Sequence, residues 1–106
     1  MKQPYCVVLT TTNSEENKQA LISAILKHQL AACIQTMPIE SHYIWQDKEC
    51  SDSEILLVIK TTVSCYQELE NLIIKIHSYE VPQVVQLPFS DGYNPYLAWL
   101  DENTRR

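Results

Sequence analysis

Three residues near one loop bring together groups that suit a ligand. His77, Tyr79 and Glu80 supply an imidazole, a phenol and a carboxylate within four positions. Such a set can hold a cation or a small polar molecule. Lys60 closes an apolar run and offers a cation to an anionic ligand, or to Glu80 or Glu54. Imidazole suits Cu(II) and zinc, whereas thiolate and thioether suit Cu(I). His77 is therefore the candidate metal ligand, and copper or another divalent cation the candidate ion. Each residue also has a simpler role. His77 ends a helix pattern, where an imidazole caps carbonyls and faces the helix dipole. Lys60 can snorkel at a sheet margin. Trp45 and Tyr43 share one face of a strand pattern and suit an interface, where large aromatics act as anchors. Lys60, His77, Tyr79 and Glu80 have types fit for general acid–base work. No spacing among them defines a reaction, so no catalytic residue is assigned and the chain does not read as an enzyme.

The four cysteines, Cys6, Cys33, Cys50 and Cys65, form no C-x-x-C pair. Cys6 lies in an apolar run and Cys33 beside small residues, so both read as core thiols. Cys65 falls near a helix start, where a thiolate is stabilised, or packs on the sheet. Cys50 is the thiol expected to be exposed. Glu15-Glu16, Asp52 with Glu54, and Asp101-Glu102 read as solvated charges. With one glycine, Gly92, the chain has no phosphate-cradling loop. The balance of 13 acidic against 8 basic side chains gives a net charge of −5. That sign opposes non-specific nucleic-acid binding, which needs a basic surface. No apolar run approaches a membrane span and no signal peptide is seen. A cytoplasmic protein with no required cofactor, no nucleic acid and no membrane partner is expected.

The elements that must position these groups follow from periodicity. Tyr5–Leu9 is a buried strand pattern. Asn13 and Glu16 have capping-box spacing, and a helix to about His28 carries Leu21, Ile22, Ala24, Ile25 and Leu26. Leu30–Gln35 reads as a second strand, which Pro38 interrupts because proline gives no ladder N–H. Ile39, Ser41, Tyr43 and Trp45 then alternate with Glu40, His42, Ile44 and Gln46. Asp47–Asp52 reads as a hairpin tip. Ile55–Ile59 is apolar throughout, so both faces of that strand need cover. Ser64 and Gln67 suggest a second capping box, with Leu69, Leu72, Ile73 and Ile76 at helical spacing. Gln83–Leu87 is a fourth strand. Pro95 suits the first turn of a last helix bearing Tyr96, Leu97, Trp99 and Leu100.

The order β-α-β-β-α-β-α predicts one α+β domain over residues 1–106. It is a ferredoxin-like βαββαβ antiparallel sheet with two helices on one face, a long central hairpin and a C-terminal helix. The hairpin, over about residues 30–61, is longer than ordinary strands need. Projecting alone, it would expose Tyr43, Ile44, Trp45 and two open edges. A homo-oligomer joined through these arms removes the problem, with Tyr43, Trp45 and Trp99 as interface residues.

Several stretches, in this order and spacing, resemble the CutA family. They are Val8-Leu9-Thr10-Thr11, Leu30-Ala31-Ala32-Cys33, Ser41-His42-Tyr43-Ile44-Trp45, Leu57-Val58-Ile59-Lys60-Thr61, His77-Ser78-Tyr79-Glu80-Val81-Pro82 and Pro95-Tyr96-Leu97-Ala98-Trp99-Leu100. The resemblance implies a ferredoxin-like subunit in a homotrimer built through the long hairpins. It also implies a link to tolerance of copper and other divalent ions, with no defined reaction. In such a trimer Trp45, Lys60, His77, Tyr79 and Glu80 are expected to line an intersubunit cleft. An alternative role is a sensor of a small molecule or partner protein, by fold analogy with PII-type trimers. The chain departs from the family at Ser78, where proline is common, and at Asp47, where glycine is common. Asp tolerates the left-handed geometry such a turn needs. Some bacterial members carry a cysteine at the position of Thr10 and a histidine pair at Ile76-His77. That thiol and one of those imidazoles are missing here.

Overall fold

A computed structural model describes residues 5–105. Residues 1–4 and 106 lie outside the described part. The elements run β1 (Tyr5–Thr12), α1 (Glu15–Lys27), β2 (Cys33–Trp45), β3 (Lys48–Thr62), α2 (Tyr66–Ile76), β4 (Val85–Pro88) and α3 (Asn94–Glu102). The strands form one antiparallel sheet in the order β2-β3-β1-β4. This is the expected α+β, ferredoxin-like arrangement.

Alternation along the central strands decides which face the helices cover. Cys6, Val8, Leu57 and Ile59 point to one face and are fully buried. Leu21 and Ile25 of α1, with Leu69 and Ile73 of α2, pack onto them as one core. The opposite face carries Val7, Leu9, Leu56 and Val58, only partly buried. Leu87 and Val85 of β4 continue it beside Val7 and Leu9, and are 49% and 42% exposed.

Several local expectations are corrected. Helix α1 is capped by Ser14, not Asn13. Ser14 is extended and its hydroxyl accepts from the Asn17 N–H at 3.0 Å. The α1 end turns through Gln29 at φ 55, with Gln29 N–H donating to Leu26 and Leu30 N–H to Ile25. This double-bonded, left-handed helix stop consumes Leu30, so β2 starts only at Cys33. Helix α2 starts one residue later than a Ser64 cap would place it, with Cys65 in the cap position. A 3₁₀ turn over Val63–Cys65 comes first, and Ser64 Oγ sits 3.1 Å from Thr62 Oγ1. Strand β4 begins two residues later than expected and runs through Pro88.

Pro38 does not interrupt β2. It pairs with Ile55 in an unbroken ladder, which is possible because β2 is an edge strand. The expected tip over Asp47–Asp52 is shorter. Gln46 and Asp47, at φ 50 and 62, make a two-residue turn between Trp45 and Lys48. Positive φ at both central positions matches the twist of a tight hairpin. Because β1 stops opposite Ile55, the pairs from Ile39–Glu54 to Trp45–Lys48 have no third strand. This two-stranded arm stretches the chain to 46 × 27 × 21 Å. The sole glycine sits where a Cβ would lie 3.0 Å from Leu97 Cδ2, so Gly92 answers a close approach of α3.

Candidate functional site

The loop after α2 crosses the end of β1 and reaches the base of the arm. His77 anchors it. Its Nε2–H donates to the Thr11 carbonyl at 2.8 Å, and its Nδ1 accepts from the Tyr79 N–H at 3.0 Å. Both ring nitrogens are thus used by a neutral imidazole that is 8% exposed. Burial pushes its pKa below the ordinary histidine value, against the raising effects of the Thr11 bond and the Glu54 charge. The His77 and Tyr79 rings lie 4.8 Å apart, centroid to centroid.

Tyr79 then extends to β3, where its phenol donates to Glu54 Oε2 at 2.5 Å. A parallel bond joins the Tyr43 phenol to the Asp52 carboxylate. Both phenols titrate above the ordinary range. For Tyr79 burial is the larger cause, followed by the Glu54 bond. For Tyr43 the Asp52 bond leads, and the pKa rises to about 12. Asp52 and Glu54 are therefore more than solvated charges, since each carboxylate is oriented by a phenol.

These groups border a hollow of about 400 Å³, lined by Thr11, Asn13, Tyr43, Trp45, Asp52, Glu54, Tyr79, Glu80, Val81 and Gln83. Trp45, Tyr79 and Glu80 meet here, and His77 supports the wall from beneath. Lys60 stands elsewhere. It lies farther along β3 with its ammonium 5.7 Å from the Tyr96 ring centroid. Trp99 lies on α3, 44% exposed and stacked on Tyr96 at 5.8 Å. Tyr43 and Trp45 are 42% and 56% exposed.

Sequence reasoning missed Asp52, Glu54 and Thr11. The signal was available in the alternation. With the turn at Gln46–Asp47, Tyr43 faces Cys50 and lies diagonal to Asp52. It also missed Asn17, whose side chain accepts from Thr12 Oγ1 at 2.9 Å and donates to the Ile76 carbonyl at 3.2 Å. Asn17 thereby ties α1 to the ends of β1 and α2.

The donors do not fit a preformed copper cage within this chain. Among the described residues no three His, Cys, Asp or Glu side chains gather as metal ligands. His77 would have to break a hydrogen bond to ligate. Cys6 is buried, and burial, with Cys65 nearby, lifts its thiol to about 11. Cys65 is also buried and donates to the Arg105 carbonyl at 3.0 Å. Cys33 and Cys50 are both half-buried, so Cys50 is less open than expected.

Known proteins share this architecture. The CutA divalent-cation tolerance protein of Thermus thermophilus is 40% identical over 99 residues, covering 92% of this chain and 96% of that protein. A chloroplastic CutA of Arabidopsis thaliana is 42% identical over 103 residues, and the match spans 96% of this chain but 57% of that longer protein. The crystal structure of CutA1 from Oryza sativa superposes with a TM-score of 0.93 at 39% identity, covering 97% of this chain and 95% of that one. The family model described as CutA1 divalent ion tolerance protein matches residues 6–103, and the chain belongs to that family.

Proposed function

We propose that the chain acts as a homotrimer in tolerance of divalent cations, copper among them, without catalysing a reaction. The observation that carries the assembly is the bare arm and the apolar sheet face beside it. Ile44, Trp45 and Tyr43 are 67%, 56% and 42% exposed at the arm, and Leu87 and Val85 extend the face at its other end. Apolar area of this kind on a small chain is stabilised by a second copy. The arm also offers an open edge to neighbouring strands. Tyr43, Trp45 and Trp99 are the anchors of this interface.

The role in metal tolerance rests on family membership, and the donor geometry limits its form. Copper contacts are weak and use surface groups, because His77 is committed to Thr11 and Tyr79. The acidic surface and the lack of a membrane-crossing helix among the described residues suit a cytoplasmic protein without nucleic-acid or membrane partners. Light scattering at micromolar concentration tests the assembly, and a monomer would overturn it. A Cu(II) titration should be shallow and unchanged in His77→Ala. A saturable site lost in that variant would overturn the metal reading. Expression in cells lacking their own family member should restore growth on copper if the tolerance role holds.

A second reading, a sensor of a small molecule, is favoured by one observation. The hollow beside Trp45 has polar groups already oriented by hydrogen bonds, as ligand sites do.

A further inference from the structure

We infer that the hollow at the base of the arm binds a short organic diammonium ion, with its two ammonium groups on Asp52 and Glu54 and its methylenes against Tyr43 and Trp45. This deepens the sensor reading of the site. It depends on the trimer only for a roof, since every group named comes from one chain.

The charged side chains lining the hollow are Asp52, Glu54 and Glu80, with no lysine, arginine or histidine among them. An anion would meet only like charge there, so the ligand is a cation. The volume of about 400 Å³ lies within the range of about 300–1,000 Å³ found for small-molecule sites.

Several features separate an organic cation from a metal ion. The described carboxylates do not gather as a metal cage. Asp52 and Glu54 alternate onto the same face of β3, so their backbones are about 7 Å apart. A four-carbon diamine places its nitrogens at a comparable separation. Each phenol occupies one site on its carboxylate, and a carboxylate with about four lone-pair sites retains acceptors for an ammonium. Aromatic rings attract ammonium groups and cover methylenes, and Tyr43, Trp45 and Tyr79 all line the hollow.

Thr11 adds an independent feature. It is only 6% exposed, it lines the hollow from the face of β1 opposite the core, and its hydroxyl bonds to no other described residue. A hydroxyl in the wall of the hollow can accept from an ammonium N–H. The larger recess of about 560 Å³ along the arm lacks this chemistry. Its imidazole, His42, is already paired with Glu40 at 2.7 Å, and Glu49 is its one carboxylate.

Calorimetric titration of the full chain with 1,4-diaminobutane tests the inference, with light scattering run on the same samples. Saturable binding is expected, about tenfold or more tighter than for butylamine. Glu54→Gln and Asp52→Asn should each weaken it about tenfold or more, as expected for loss of a charge-assisted bond. Glu49→Gln removes the same charge from the other face of the arm and should leave binding unchanged. Equal affinity for butylamine, or for Mg²⁺, would overturn the inference. So would equal weakening by Glu49→Gln, or no binding to an intact oligomer. Failure of the trimer with binding retained would count against the assembly alone, and copper results bear on neither.

Discussion

The Tyr79 phenol reaches across 25 sequence positions to Glu54 Oε2 and holds the loop after α2 against the arm. The acceptor is a carboxylate and the bond is partly buried, which places it among the stronger hydrogen bonds. Tyr79→Phe keeps the ring and removes only the donor. It should destabilise the chain by about 1.5–3 kcal/mol, read as a lower urea midpoint with an unchanged slope. A midpoint equal to the parent's would show that the phenol carries no net stability.

His77 ties stability to acid. Its folded pKa lies below the unfolded value of about 6.5. Its contribution is therefore complete above that pH and is lost as pH falls through the folded value. Protonation of Nδ1 would also cost the bond from the Tyr79 N–H. Unfolding midpoints should drop between pH 7.5 and pH 5.5, and the drop should shrink in His77→Asn. An equal drop in both proteins would assign the acid sensitivity to other groups.

Gln29 holds the left-handed stop of α1 at φ 55. A side chain there is strained where glycine is not. Gln29→Gly should stabilise the fold by about 0.5–1 kcal/mol, raising the thermal midpoint with no change in circular dichroism. A lower midpoint would mean that the glutamine side chain contributes more than the backbone strain costs.

Thr10 is fully buried, and its hydroxyl is the orphan buried side-chain polar atom among the described residues. Thr10→Val preserves shape and removes the unpaired group. A gain of about 1 kcal/mol is expected from denaturant unfolding. A loss would show that the hydroxyl has a partner such as a buried water.

The fold was legible because periodicity and burial agree along β1, β3 and α2. Leu69, Ile73 and the alternation of Val8 with Cys6 each point to the same core. The boundaries were less legible. Ser14 and Asn13 both have capping side chains, and only the exact end of β1 selects between them. Gln29 and Gln46 adopt positive φ without the glycine or asparagine that would have signalled it. The turn at Gln46–Asp47 also hid the site, because the diagonal contact of Tyr43 with Asp52 depends on register. Lys60 and Glu80 are ordinary in spacing, and only the three-dimensional path of the arm sets them apart.

Pro38 limits which part of the open edge an added strand can use. It sits midway along the outer edge of the sheet, and the ladder to β3 runs unbroken through it, so its nitrogen faces outward. An incoming strand finds no donor there. The edge is thereby divided into a segment beside the core, Cys33–Met37, and a segment on the arm, Ile39–Trp45. A neighbour can pair cleanly with either one but not zip along both. Runaway strand addition, the route to fibres, meets a stop at that residue, while a closed ring of copies using the arm alone is unaffected.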